Sequence, residues 1–577
     1  MVNERLQHSD FLKLGFVIAA LALIWNLPTI GGNLMPRNFM GWFGIIVIAS
    51  LLMSFSIWKE KLFYSKFLLF LFIPPAAILF HGLIFEPSET MHYYFWLAAG
   101  ASLMFPIYLF GLYQVDDADE IWLKVSNLLL LILIVQTFIT ILMPSTGFGR
   151  YIIDHMPLEL KAREAGFQQA NLMASFISAS IIWSWALHLK HQKMDKKYLA
   201  FIFFITLFLS FVIFKTGSRT GFISLLFGYF LIAVYAYRLK KFTYSAWFIV
   251  AIIFAFLLEQ TGFFGESRRG GSIAATVDLL GGQNTVARLL FWKVSFLAGL
   301  DEFIFGHGLG SFQQAYLDTY LKYKPANADW FHVSGLAHPH NEILMHWVEM
   351  GLYGIFFIIV PAVIFLFKLF LANKKYAFLL IGSIFPIVLH TQTEMVLHAS
   401  GAHWLLLGLI IASLTGRSKL EEIEVSKLLI ALPIGIAVLG SWLTVSTAIV
   451  GQSAFYNKLY ADSAKDLGHR LKYLTQGDEL NHWVYGTETN DRVIKEMMAV
   501  ALNTNNRNAI TKFLPRLLDM NTRWQQTDTW AQIAQAYLVL GDIAKYKSHM
   551  NKVRILDPKY ADFLEKAFDV KLESAKN

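Results

Sequence analysis

The chain has 577 residues, of which 56% are hydrophobic and only 16% charged, well short of the roughly one quarter charged that a soluble protein of this size carries. Fifty phenylalanines and sixteen tryptophans suit a lipid-facing surface with aromatic belts at its edges. The lack of cysteine excludes disulfides, thiolate metal sites and a cysteine nucleophile. The net charge of +8 lies largely in short loops between apolar runs, which marks membrane topology rather than nucleic-acid binding.

Apolar runs long enough to cross a bilayer are expected near 14–30, 39–57, 67–85, 94–113, 123–144, 171–189, 198–215, 219–237, 243–262, 347–370, 376–393, 402–416 and 428–449. The first follows Arg5 and Lys13 but shows no small-x-small cleavage site, so it reads as a retained helix. With the N-terminus inside, the inner joints hold Lys59, Lys61 and Lys66; Lys190, Lys193, Lys196 and Lys197; Arg238, Lys240 and Lys241; Lys368, Lys374 and Lys375; Arg417, Lys419 and Lys427. One inner joint, Asp116 to Glu120, is acidic. The short outer joints hold little, Arg37, Arg150, Lys161, Arg163, Lys215 and Arg219, as the positive-inside rule requires.

The reading is an all-α, polytopic membrane protein of about 13 transmembrane helices. Its domains are N-terminal membrane helices (1–262), a large outer loop (263–346), C-terminal membrane helices (347–449) and an outer helical domain (450–577). In the last, Trp530 to Pro558 resembles one tetratricopeptide-like hairpin.

The outer side collects chemistry. Arg163, Gln168, Gln169 and Asn171 precede the sixth span, and Lys215, Ser218 and Arg219 fill a joint of about four residues. Arg288, His307, His338, His340, Asn341 and Glu342 lie in the long loop, and His390, Glu394 and His398 flank the eleventh span. Arginines gathered at a membrane surface suit a pyrophosphate, whose oxygens a guanidinium binds through paired hydrogen bonds. In His338-Pro-His-Asn-Glu342 a histidine at a helix start can serve as a general base near neutral pH. The His338-x-His340 spacing also suits a metal pair, but no third and fourth ligands are evident in the sequence, and metal-free electrostatic catalysis is the favoured reading.

At these residues the chain resembles the O-antigen ligase and polymerase superfamily, whose signature is His-(Asn/Ser/Gln), nine residues, Gly, two residues, then Gly, Thr or Tyr. Here it is His340-Asn341, nine residues, Gly351, two residues, Gly354. Ala287-Arg-Leu-Leu-Phe-Trp292, Phe305-Gly-His-Gly-Leu-Gly-Ser-Phe312 and Ser218-Arg-Thr-Gly221 fit as well. Within the superfamily the chain is similar to the bacterial protein O-oligosaccharyltransferases, on Gly166-Phe-Gln-Gln-Ala-Asn-Leu-Met-Ala174 and the stretch from Glu394 to Trp404. Ala170 stands where that branch usually has proline, and Met395-Val396 replace Tyr-Pro.

The resemblance implies His340 as the catalytic histidine, Arg219, Arg288 and Arg163 as pyrophosphate ligands, and supporting or acceptor-binding roles for Gln169, Asn171, His338, Asn341, Glu342, Glu394 and His398. It implies transfer of an oligosaccharide from undecaprenyl pyrophosphate to a Ser/Thr hydroxyl of pilin or another exported protein. The location would be the bacterial inner membrane, with the N-terminus cytoplasmic and the active site and C-terminus periplasmic. No cofactor and no nucleic acid is expected. The sibling alternatives are an O-antigen ligase and an O-antigen polymerase. A transporter is more remote, because no Asp, Glu, Lys or Arg occupies the central turns of the expected spans.

Overall fold

The computed structural model describes residues 7–24, 36–85, 92–115, 119–138, 170–191, 196–261, 283–327, 329–333, 336–415, 421–464, 466–475, 486–523 and 526–576. In chain order the elements are α1 (His8–Ile24), α2 (Pro36–Trp58), β1 (Lys61–Tyr64), a 3-10 turn (Lys66–Phe72), α3 (Ile73–Ile84), α4 (His92–Leu112), α5 (Asp119–Thr137), α6 (Ala170–His191), α7 (Lys196–Thr216), α8 (Arg219–Arg238) and α9 (Phe242–Gln260). Then come α10 (Gln283–Asp301), α11 (Phe312–Tyr323), α12 (Glu342–Gly354), α13 (Val360–Ala372), α14 (Ala377–Thr391), α15 (Val396–Ala399), α16 (Gly401–Thr415), β2 (Glu421–Glu424) and α17 (Ala431–Ser463). The tail adds α18 (Leu467–Thr475), α19 (Gly486–Asn503), α20 (Arg507–Arg523), α21 (Thr527–Leu540), α22 (Ile543–Leu556) and α23 (Pro558–Lys576).

The protein is all-α apart from one two-stranded pairing, and each expected span overlaps a helix. Among the described residues, eight helices are long and apolar enough to cross a membrane. The chain divides into two compact units: 1–77, 98–285 and 357–455 form the first, and 78–97, 286–356 and 456–577 the second.

In the first unit α6 is the central helix. Its apolar window is 100% buried, against 6% for the window at Lys427–Ala454, so α6 is packed in protein while α17 offers its apolar surface to lipid. Small residues let the helices close up, as they must where lipid removes the hydrophobic drive for association. A Cβ added at Gly41 of α2 would meet the Gly401 backbone at 2.7 Å, and one at Gly221 of α8 would meet Ala174 Cβ of α6 at 2.4 Å.

The polar joints sort to two ends. At one, β1 pairs antiparallel with β2, Lys61 opposite Glu424 and Tyr64 opposite Glu421, with a Lys61–Glu422 ion pair of 2.8 Å. Gln114, just after α4, bonds both the N–H and the C=O of Phe63, at 2.9 and 2.8 Å. Lys190 at the end of α6 donates to the Ser413 carbonyl near the end of α16, at 2.6 Å. The ends of α2, α4, α6 and α16 therefore share one end of this unit, as alternating spans demand. Sequence reading missed β1 and β2, which are too short and too charged to give a strand pattern.

In the second unit the described residues between 286 and 346 are substantially helical. The tail packs as consecutive hairpins, α19 with α20 and α21 with α22, around Met498, Leu502, Ile510, Leu517, Ile533 and Tyr537. Gly541 closes α21 in the left-handed conformation (φ 90°), and Asp542 caps α22 by accepting from the Lys545 N–H at 3.0 Å. That is the hairpin expected from Trp530 to Pro558.

Also in this unit, His332 lies 5.6 Å from the Tyr320 ring. Burial lowers its pKa to about 4, with Asp557 pulling weakly the other way. A histidine depressed below its unfolded value of about 6.5 binds fewer protons in the folded state, so its contribution is complete above pH 6.5 and is lost as pH falls towards 4. Because the ring is partly exposed, the loss should be on the order of 2 kcal/mol. Hydrogen exchange at α11 should accelerate over that window, and His332→Gln should flatten the response. Acceleration that persists unchanged in His332→Gln would assign it to another group.

Candidate functional site

In the second unit, the histidine motif is built by a helix cap and a docked glycine loop. Asn341 is the N-cap of α12, its side chain accepting from the Leu344 N–H at 3.0 Å. Directly before it, His340 has φ 54°, a left-handed conformation that costs a non-glycine residue about 1–2 kcal/mol. The His340 N–H donates to His338 Nδ1 at 3.3 Å, and the two rings meet edge-on at 4.4 Å. The His340 ring stacks on Phe291 of α10 at 6.0 Å and 22°. Arg288 lies one turn before Phe291 on the same face of α10. His338 thus supports the backbone of His340, and Asn341 starts the helix.

Further along α12 the signature glycines do structural work. Gly351 has φ 58° and ψ −148°, which turns its peptide groups outward. Leu352 and Tyr353 donate to the carbonyls of Phe303 and Ile304, each at 2.9 Å, and His307 and Gly308 donate back to Val348 and Glu349, again at 2.9 Å. Glu349 also accepts from the Gly310 N–H at 3.0 Å. A Cβ at Gly306 would meet Glu349 C and Met350 N at 2.4 Å. The spacing from His340 to Gly351 is thus the length of helix between the cap and the kink that receives the loop.

Glu342 is buried at the first turn of α12. A carboxylate oxygen of Glu342 lies within 4.8 Å of a ring nitrogen of His346, as do ring nitrogens of His338 and His340 of each other. These pairs are the groups of this unit best placed to share a cation.

In the first unit, the other candidates share one end. Ser218 caps α8, accepting from the Gly221 N–H at 3.2 Å, and Gly217 turns the chain at φ 63°. Arg219 is then the first residue of α8, Thr220 reaches Thr393 Oγ1 at 3.4 Å, and Gly221 admits Ala174. Each residue of Ser218-Arg-Thr-Gly221 has a distinct task. Asn171 opens α6. Glu394 is buried and its N–H donates to the His390 carbonyl at 2.8 Å. The His398 carbonyl accepts from Asn38 Nδ2 at 3.2 Å. Arg163, Gln168 and Gln169 lie outside the described residues.

Of a further group, the sequence marked only His390. Ser175 of α6 sits between two buried imidazoles, with His390 Nδ1 at 2.6 Å and His403 Nε2 at 3.0 Å. His403 Nδ1 meets Ser400 Oγ at 2.7 Å, and Ser175 Oγ donates to the Leu172 carbonyl at 3.0 Å. With its only proton directed there, Ser175 accepts from both imidazoles, and Ser400 donates to His403. The signal was present: an imidazole in the first turn of the apolar α16 needs polar partners.

This network ties α6, α14 and α16 beneath the stretch that carries Glu394 and His398. Ser175→Ala should leave two buried N–H groups without their acceptor, lowering stability by about 1–3 kcal/mol. Thermal unfolding in detergent should show the lower midpoint, with Ser446→Ala as control, a half-buried position of α17 whose hydroxyl donates to the Leu443 carbonyl of its own helix. Equal midpoints for the two would mean that the imidazoles find other acceptors.

Residues 202–359 match the family model described as O-antigen ligase. No curated protein matches the chain. The matched segment contains Ser218 to Gly221, Arg288, the glycine loop and the whole His340–Gly354 signature. Through this segment the chain is similar to the O-antigen ligase family, which supports glycosyl transfer of the ligase type in a multi-pass membrane protein.

Proposed function

We propose that this protein transfers an oligosaccharide from undecaprenyl pyrophosphate to a serine or threonine hydroxyl of pilin or another exported protein. His340 is the general base. The observation that carries this is the left-handed His340, its ring held against Phe291 one turn from Arg288 on α10. Strain of this kind in a non-glycine residue gathers where function requires one side-chain position.

In the reaction, the acceptor hydroxyl oxygen bonds to the anomeric carbon and gives its proton to His340. The bond from that carbon to the pyrophosphate oxygen breaks, and the lipid pyrophosphate leaves. Arg219, Arg288 and Arg163 take the departing charge through paired hydrogen bonds. Asn171, Gln169, Glu342, Glu394 and His398 serve acceptor or donor positioning. The N-terminus lies in the cytoplasm of a bacterial inner-membrane protein, and the site and C-terminus in the periplasm. The clustering of lysine-bearing joints at one end of the first unit supports that orientation, and the helical tail offers a protein acceptor a surface outside the bilayer.

The test uses purified protein, lipid-linked glycan and either pilin or lipid A core, with products weighed by mass spectrometry. Mass added to pilin supports the reading; mass added only to lipid A core makes the protein an O-antigen ligase. His340→Asn keeps a side chain that tolerates the left-handed conformation but removes the base. Transfer should fall by about 10² to 10⁴ with membrane insertion unchanged, and His338→Ala should lose less. Full activity in His340→Asn would remove the base assignment.

Arg219→Lys keeps the charge but replaces a planar fork by a point donor. Transfer should drop at least about tenfold, the scale of one lost charge-assisted hydrogen bond. Near-normal transfer at equal protein level would reduce Arg219 to an interfacial anchor.

A further inference from the structure

The second unit carries a polar pocket that the proposed reaction does not use. It has a volume of about 220 Å³ and is lined by Asp301, His307, Ser311, Gln314, Asp318 and Lys322 among others. Ser311, Gln314, Asp318 and Lys322 recur at three- and four-residue intervals and so form one stripe along α11. The opposite stripe of α11 is aromatic, and its Tyr316 packs on Phe291, the ring that backs His340. The pocket is thus built on a helix that also supports the histidine motif.

Its chemistry is balanced. Asp301 is ion-paired with Lys322 at 2.8 Å. The Asp318 carboxyl is raised by partial desolvation at the pocket wall and drawn back down by Lys552 of α22, by His307 and by a hydrogen bond from Gln314. His307 Nε2 donates to the Ala298 carbonyl at 2.8 Å, so in the neutral ring Nδ1 is an acceptor. The lining thus holds two carboxylates and one ammonium group, with Lys552 acting on Asp318 from α22. The wall offers both donors and acceptors, as a hydroxyl-rich ligand needs, because each hydroxyl both gives and takes a hydrogen bond. The volume falls below the roughly 300–1,000 Å³ of sites for drug-sized ligands, which suits one sugar ring rather than a peptide or a whole glycan.

We propose that this pocket binds a single pyranose ring of a glycan chain, a subsite that holds sugar on the unit bearing His340. The proposal rests on the glycosyl-transfer reading for its choice of ligand, but its test does not require turnover. Saturation-transfer NMR on the full-length protein in detergent would use methyl α-glucopyranoside, methyl α-galactopyranoside and methyl N-acetyl-α-glucosaminide as probes. At least one should receive saturation at millimolar concentration. Gln314→Trp, which fills the pocket from its open rim, should abolish the signal, and Asp318→Ala should weaken binding about tenfold. Both positions are exposed, so neither variant threatens the fold. His340→Ala should bind as the unaltered protein does.

Failure of all three pyranosides to bind, or binding undiminished in both pocket variants, overturns the proposal. Displacement of the sugar by micromolar spermidine or Mn²⁺ also overturns it, and makes the pocket a cation site. Sugar binding without glycosyl transfer would leave the pocket standing and sink the transfer reading. Transfer without sugar binding would do the reverse.

Discussion

The backbone bonds between the 303–308 loop and the kink of α12 are the constraint on which the histidine motif depends. A helix interior has no spare N–H or C=O groups, because each is used four residues away. Gly351, at a dihedral pair that a side chain would strain, frees those of its neighbours. The loop can then bond to α12 from Val348 to Tyr353, nearly as a strand would. Since α12 begins at Asn341, fixing its far end against the loop fixes the position of its cap. His340, immediately before the cap, inherits that position.

The same economy explains the glycine-rich loop. Gly306, Gly308 and Gly310 all have positive φ, and Gly306 touches α12 backbone where a methyl group would collide. In the first unit the arginine joint works by similar means, with a serine cap and a glycine that admits a neighbouring helix. Both signatures are mostly scaffold, and in each the residue with chemical capacity, His340 or Arg219, is the one that the others hold at a helix start.

Much of this was legible in the sequence, for physical reasons. Apolar runs of bilayer length predicted helices where the structure has them, because lipid tolerates few alternatives. His340, Asn341 and the two glycines were marked by spacing. The left-handed turn at His340 was not, since histidine has no strong preference for it and the conformation is imposed by the neighbouring cap and loop. The Ser175 network was hidden because its members are 215 and 228 residues apart in pairs, and a serine within an apolar run reads as packing. The outer loop was read as a single segment because α10 begins after a glycine-rich stretch and α11 is short, with its apolar face aromatic rather than aliphatic.

The pairing of β1 with β2 bears on how the chain is made. Tyr64 and Glu421, joined by a hydrogen bond of 2.5 Å, are 357 positions apart. During synthesis the first strand leaves the ribosome long before its partner exists, and ten of the expected spans must enter the bilayer between them. Its edge is open throughout that interval, and open edges invite improper pairing. A strand of four residues offers little to a chance partner, while two ion pairs with the later strand, Lys61 with Glu422 and, just beyond β1, Lys66 with Glu421, favour the proper one. The strand pair acts as a clasp that can shut only once twelve of the expected spans have been made, so a chain truncated before Glu421 would insert those helices and yet lack the fastening between their early and late members.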